Sequence, residues 1–156
     1  MPRKLTVSRE IELTAYCGLY CGDCIRYKSV VADLARELLD QLQTTDWDKY
    51  AGVSSSEAFK HYRGSIDVLK AIAERKCNDG CRKGGGCKTF ACKIIECCQK
   101  RGFEGCWQCP KFQKCNKFEF LKQFHGEYPI ENLKIIRDKG LKGWVTHRRS
   151  FYIWQK

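Results

Sequence analysis

Twelve cysteines in 156 residues constrain this chain more than any other feature. They fall as Cys17-x3-Cys21-x2-Cys24, Cys77-x3-Cys81, Cys87-x4-Cys92-x4-Cys97-Cys98 and Cys106-x2-Cys109-x5-Cys115. None lies between Cys24 and Cys77, so the thiols form two blocks separated by a long cysteine-free stretch. A thiolate is a soft anionic ligand, and two of them a few residues apart can reach one tetrahedral ion. An extracellular disulfide framework would also use an even number of cysteines. Against it, the start Met1-Pro2-Arg3-Lys4-Leu5-Thr6 has no apolar signal core, and no stretch is long enough to span a membrane. The expectation is therefore a cytoplasmic protein whose thiols stay reduced and hold metal.

Two metals compete. Cys17-x3-Cys21-x2-Cys24 has the spacing that radical S-adenosylmethionine enzymes use for a four-iron cluster. Such enzymes build a large barrel after the motif, and only 132 of the 156 residues follow Cys24, against about 200 or more for a barrel of the usual kind. The surplus of cysteines also exceeds the needs of one cluster. Zinc in four-cysteine sites uses the surplus better, and two or three ions account for about eight to twelve thiolates. An iron–sulfur cluster is the minority alternative.

The metal changes the charge balance. The formal excess is +11, concentrated after residue 76: residues 1–76 hold 12 Lys/Arg against 11 Asp/Glu, and residues 77–156 hold 17 against 7. A zinc ion with four thiolates carries a net charge of about −2, so two sites would bring the total to about +7. Lys83, Lys88, Lys93, Lys100, Arg101, Lys111, Lys114 and Lys117 stand beside the cysteines. Positive neighbours stabilise an anionic site, which favours local compensation over a nucleic-acid footprint.

Periodicity predicts a mainly α, small metal-stabilised domain, with helices packed around cysteine-rich zinc knuckles and a short terminal β element. Leu5-x-Val7 and Ile11-x-Leu13 suggest a short strand or extended arm. Ile25, Val30, Val31, Leu34, Leu38, Leu39 and Leu42 form one face of a helix over 25–42. Ser54-Ser55-Ser56-Glu57 reads as a capping box with Ser54 as N-cap. The helix after it carries Phe59, Tyr62, Ile66, Leu69 and Ala73 on one stripe. A short helix over 89–101 should close at Gly102, another should run around 114–124, and a last one over 130–139 should end at Gly140. Trp144 onward is aromatic and basic without a clear period. The whole of 1–156 reads as a single domain, with an arm over 1–14, a core over 15–145 and a basic aromatic tail over 146–156.

Several motifs taken in order resemble the cysteine-rich domain-of-unknown-function family 3795. They are Tyr16-Cys17-Gly18-Leu19-Tyr20-Cys21-Gly22-Asp23-Cys24 with Tyr27, then Cys81-Arg82-Lys83-Gly84-Gly85-Gly86-Cys87, then Cys92-Lys93-Ile94-Ile95-Glu96-Cys97. Lys100-Arg101-Gly102, Cys106-x2-Cys109 and Cys115 follow in the same order, and Glu131-Asn132-Leu133-Lys134-Ile135-Ile136 with Gly140 resembles the closing helix. The resemblance covers about 15–145. It implies a small intracellular zinc protein and no reaction. Cys98 departs from the pattern as an extra thiol, and Lys114 stands where a proline usually precedes the last ligand. The resemblance carries over eleven ligand candidates: Cys17, Cys21, Cys24, Cys77, Cys81, Cys87, Cys92, Cys97, Cys106, Cys109 and Cys115. Cys21/Cys24 and Cys106/Cys109 are the firmest pairs, because a C-x2-C knuckle turns both sulfurs toward one point. Cys77/Cys81 comes next. Spacing does not say how the pairs combine.

Among the histidines, His125 could complete a mixed site, while His61 and His147 read as surface residues. No Ser-His-Asp set, phosphate loop or H-E-x-x-H pattern is present, so an enzyme is not the expectation. The leading reading is a zinc-binding protein with structural sites that acts as an interaction module for an unknown protein partner, with no membrane. The first alternative is a nucleic-acid-binding module contacting its target through Trp144, Arg148, Arg149, Tyr152 and Trp154, since aromatics interleaved with arginine can stack bases and pair phosphates. The second is an iron–sulfur or thiol redox protein using Cys17, Cys21 and Cys24, with Cys97-Cys98 as an oxidisable pair.

Overall fold

The computed structural model describes residues 7–86 and 92–148 together with Tyr152 and Trp154. The chain divides into two compact units, a discontinuous one of residues 1–27 with 79–156 and an inserted one of residues 28–78. Seven α-helices and several 3₁₀ turns are present among the described residues, with no strand beyond an isolated bridge between Thr14 and Tyr20. The mainly helical class expected from periodicity is the one observed. Among the described residues no helix is long and apolar enough to cross a membrane.

The inserted unit is built on a helical hairpin. Helix α2 (Val30–Thr44) packs against α4 (Tyr62–Glu74), with a short α3 (Trp47–Val53) between them. Ser29 caps α2 by accepting the Ala32 N–H at 3.2 Å, five residues later than the start that the periodic pattern suggested. The buried residues of α2 are Ala32 and Ala35, whereas Val30, Val31, Leu34 and Leu38 are exposed. Of the large apolar side chains that defined the expected face, only Leu39 and Leu42 are half-buried, in line with Ala32 and Ala35. Two alanines let the helices approach closely, and polar links seal the edge: Arg36 Nη2 donates to the Ala73 carbonyl at 2.9 Å and Lys76 Nζ to Asp33 at 2.6 Å. On α4, Ala73 is buried and Tyr62, Ile66 and Leu69 are half-buried, as the predicted stripe requires.

The predicted capping box does not form. Ser54 Oγ instead accepts the Ser56 N–H at 3.3 Å, Glu57 pairs with Lys60 at 2.6 Å, and a 3₁₀ stretch over Glu57–His61 precedes α4. Helix α3 had no periodic signal because its apolar residues are aromatic: Trp47 and Tyr50 gather on Phe59, at ring distances of 6.1 and 5.5 Å.

The discontinuous unit opens with α1 (Val7–Leu13), where a strand or extended arm was expected. Ser8-Arg9-Glu10 interrupts the apolar alternation, and arginine and glutamate favour helix over strand. Thr14 Oγ1 bonds back to the Glu10 carbonyl at 3.1 Å as the helix ends, and Leu13 is buried. Helix α5 (Lys93–Lys100) ends in a Schellman motif: Phe103 N–H bonds to the Cys98 carbonyl at 2.9 Å, Gly102 N–H to the Gln99 carbonyl at 3.2 Å, and Gly102 has φ +65°. Residues 87–91, the start of the helix expected over 89–101, lie outside the described residues. Of the helix expected around 114–124, the first residues fall in the 3₁₀ turns Phe112–Lys114 and Asn116–Phe118, and α6 (Glu119–His125) starts only after them.

Helix α7 runs over Tyr128–His147 with non-helical geometry at Gly140, φ 69° and ψ 171°. Gly140 breaks the helix where expected, but the chain resumes helical turns and buries Trp144 completely. Leu133 and Ile136 supply the buried stripe before the break.

One polar contact in this core positions the first cysteine turn. Gly18 (φ +84°) lies so close to α7 that a Cβ would stand 3.1 Å from Leu133 Cγ and from the Pro129 carbonyl. Buried Asn132 Nδ2 donates to the Gly18 carbonyl at 2.9 Å. Replacing Asn132 with leucine would leave that buried carbonyl without its donor, and urea unfolding of Asn132→Leu should show a loss of about 1–3 kcal/mol.

Candidate metal centre

The two C-x2-C sequences adopt one local structure. Cys21–Asp23 and Cys106–Gln108 are each a single 3₁₀ turn, closed by Cys24 N–H to the Cys21 carbonyl at 3.1 Å and by Cys109 N–H to the Cys106 carbonyl at 2.9 Å. The second turn repeats every three residues: Phe112 N–H bonds to Cys109 O (3.4 Å), Cys115 N–H to Phe112 O (3.2 Å) and Phe118 N–H to Cys115 O (3.4 Å). Cys106, Cys109 and Cys115 are thus placed by one run of turns, with Phe112 taking the intervening position and buried. Proline before Cys115 is dispensable to this geometry, since the Phe112 carbonyl receives the closing bond.

The discontinuous unit joins the two turns directly. Cys106 N–H donates to the Tyr16 carbonyl at 2.9 Å. Arg82, next to Cys81, donates through Nε to the Thr14 carbonyl at 2.6 Å and through Nη2 to the Glu104 carbonyl at 2.8 Å. Its guanidinium also lies over the rings of Tyr16 (4.7 Å) and Trp107 (5.5 Å).

Around this junction the cysteines gather in two neighbouring groups. Cys17, Cys21, Cys81 and Cys92 form the first. The Cys17 thiol is raised well above its ordinary value by burial and then by the charges of Cys81, Cys21 and Cys92, against a hydrogen bond from the Leu19 backbone. The Cys81 N–H reaches Cys21 Sγ at 3.3 Å. Cys24 belongs to the same neighbourhood: burial and then the charges of Cys24, Cys21 and Cys17 raise the Tyr152 phenol, whose hydroxyl donates to the Tyr20 carbonyl at 2.9 Å. The second group is Cys97, Cys98, Cys106, Cys109 and Cys115, which line a cavity of about 30 Å³ together with Ile94, Phe103, Phe112 and Phe118. Cys98 and Cys106 share a hydrogen bond across 3.5 Å. That bond, aided by Arg82 and Arg101 against the cost of burial, holds the Cys98 thiol below its ordinary value and drives Cys106 above it.

By type, clustered sulfur donors suit a soft divalent cation. Backbone N–H groups aimed at Cys17 and Cys21 sulfur stabilise thiolate, and clustered thiolates repel one another until a cation neutralises them. Among the described residues, no three His, Cys, Asp or Glu side chains converge on one point as the ligands of a bound ion do. There is no disulfide among the eleven described cysteines. Cys77 is the one cysteine of the inserted unit; it is buried, its carbonyl accepts the Lys28 N–H at 2.8 Å, and it falls in a different unit from Cys81. Cys87 lies outside the described residues.

The residues proposed for nucleic-acid contact have other employment. Trp144 and Tyr152 are buried. Arg148 lies 4.0 Å above the Tyr20 ring and 3.5 Å from Asp23, and Trp154 stacks on Tyr152 at 4.8 Å. Arg149 lies outside the described residues. Among the histidines, His125 is buried edge-on to Tyr152 at 4.9 Å, while His61 and His147 are exposed.

The family model described as "Protein of unknown function (DUF3795)" matches residues 13–120, a span that contains all twelve cysteines. The chain belongs to this family. The match ends before α7, so the closing helix that also carried the resemblance lies beyond it. No curated protein and no solved structure matches the chain.

Two residues acquire their place in this region only from the structure: Arg82, which binds a carbonyl on each side of the junction, and Cys98, whose sulfur lies beside that of Cys106. A sequence signal for Cys98 did exist: it lies four residues before Gly102, at the position whose carbonyl a Schellman motif uses.

Glycines at the turns provide a direct check on this geometry. A Cβ on Gly22 would stand 2.8 Å from Cζ of the Tyr20 ring, which is hemmed in by Arg148 and Trp144. Gly64, on α4, has open space around it. Thermal or urea unfolding should find Gly22→Ala destabilised by about 1–3 kcal/mol and Gly64→Ala stabilised by about 0.5–1 kcal/mol.

Proposed function

We propose that this protein binds zinc through cysteine thiolates, that the metal holds its cysteine-rich unit together, and that the unit serves as a structural interaction module rather than an enzyme. The observation that carries the reading is that Cys21, Cys81 and Cys92 lie within electrostatic reach of the Cys17 thiol, the four being drawn from three separated stretches of the chain, with backbone N–H groups directed at the Cys17 and Cys21 sulfurs. Thiols so placed would be costly to ionise together without a cation, and zinc supplies one without redox chemistry. Cys17, Cys21, Cys24, Cys81 and Cys92 are the ligand pool for one ion, and the cysteines beyond α5 for another. The basic residues around them offset the charge of the thiolate sites. A reducing compartment such as the cytoplasm suits this chemistry.

Elemental analysis of anaerobically purified protein should give about two zinc ions per chain, and chelation should abolish most of the helical circular dichroism of the cysteine-rich unit. A metal-free preparation that keeps its helical signal and its melting transition would overturn the proposal. Iron with visible absorption, in place of zinc, would shift the reading to an iron–sulfur protein.

A further inference from the structure

From the packing around helix α5 we infer that Cys98, with Cys106, Cys109 and Cys115, forms a four-thiolate site for a soft divalent cation of the zinc class, and that its neighbour Cys97 is not a ligand. The inference rests on the metal-binding reading above and adds a ligand set to it.

The two adjacent cysteines differ sharply in setting. Cys98 is 2 % exposed, and its sulfur stands 3.5 Å from that of Cys106. In a tetrahedral zinc site with Zn–S near 2.3 Å, ligand sulfurs are about 3.8 Å apart, so the pair already lies close to one edge of such a tetrahedron. Cys97 is partly exposed and also lines an open groove with Lys93, Glu96 and Lys100. Burial and the sulfur–sulfur approach distinguish them, while the Schellman motif, with Phe103 N–H on the Cys98 carbonyl, closes α5 three residues before Cys106.

The cavity lined by Cys98, Cys106, Cys109 and Cys115, with part-exposed Cys97 also on its wall, measures about 30 Å³. That is room for one water-sized occupant, which needs about 10–15 Å³. Apart from its sulfurs and the cations Arg101 and Lys117, the lining is aliphatic and aromatic, a poor setting for water and a good one for a soft ion. Arg101 and Lys117 stand where they would balance the excess negative charge of four thiolates on one divalent ion. The sulfurs line the cavity without meeting at its centre, and each sits on a single rotatable Cα–Cβ bond that lets it turn inward with the backbone in place.

Cobalt(II) titration of the chelator-treated, refolded full chain reads the site directly through thiolate charge-transfer absorption. Wild type should saturate at about two ions, Cys97→Ser at about two, and Cys98→Ser at about one. Loss of an ion in Cys97→Ser with retention in Cys98→Ser would overturn the assignment and leave the metal-binding reading intact. So would a wild type that binds one ion retained by both variants. A wild type that binds none would sink the broader reading and this one with it. Should Cys98→Ser fail to fold, N-ethylmaleimide labelling of wild type in mild urea, with and without zinc, gives the same answer by peptide mapping. Zinc should slow labelling of Cys98 at least tenfold and leave Cys97 unchanged; equal labelling of Cys98 in both conditions would overturn the proposal.

Discussion

A backbone hydrogen bond from the Cys106 N–H to the Tyr16 carbonyl, 90 residues away in sequence, joins the stretches that carry the two cysteine turns. Arg82 reinforces it by binding a carbonyl on each side, that of Thr14 before the first turn and that of Glu104 before the second. A guanidinium suits this junction because its rigid fork can serve two acceptors while its flat face rests on Tyr16 and Trp107. With this junction in place, Cys81 lies beside Cys21 and Cys106 lies beside Cys98.

The core around the junction divides its work between aromatic bulk and sulfur. Tyr20, Phe112, Trp144 and Leu133 fill the interior, and the thiols occupy the seams between segments too short to bury a hydrophobic stripe of their own. Turns of three residues expose backbone groups and bury little apolar surface of their own. The inserted unit is built differently. Its helices are long enough to pair through Ala32, Ala35 and Ala73, and it contains one cysteine.

Much of this architecture was legible in the sequence. The two knuckles, the helix stop at Gly102 and the break at Gly140 each have a local cause: a fixed C-x2-C spacing, or a glycine with positive φ at 65° and 69°. The α4 stripe was legible for a similar reason, since its apolar residues recur at helical spacing. The errors share a different cause. In α2 the strongest apolar periodicity marked Val30, Val31, Leu34 and Leu38, but close approach of two helices favours small side chains, and alanines carry little weight in a hydrophobic pattern. In α1 an alternation over few residues was compatible with strand or helix, and arginine and glutamate tipped it to helix. The aromatic tail gave no period because Trp144 and Tyr152 are held by contacts with Tyr20, far away in sequence.

The candidate centre separates the two kinds of information most clearly. Sequence alone determined that the chain belongs with cysteine-rich proteins of its family, that Cys21/Cys24 and Cys106/Cys109 form tight turns, and that positive charge surrounds the sulfurs, because each of these depends on residue type and short-range spacing. Only the tertiary structure decided which thiols become neighbours. Cys98 and Cys97 are adjacent in sequence, yet about 100° of helical rotation buries one against Cys106 and leaves the other part-exposed. Cys77 and Cys81 are four residues apart, yet they fall in different compact units. Sulfur neighbours are set by where segments pack, and a linear spacing carries no record of that packing.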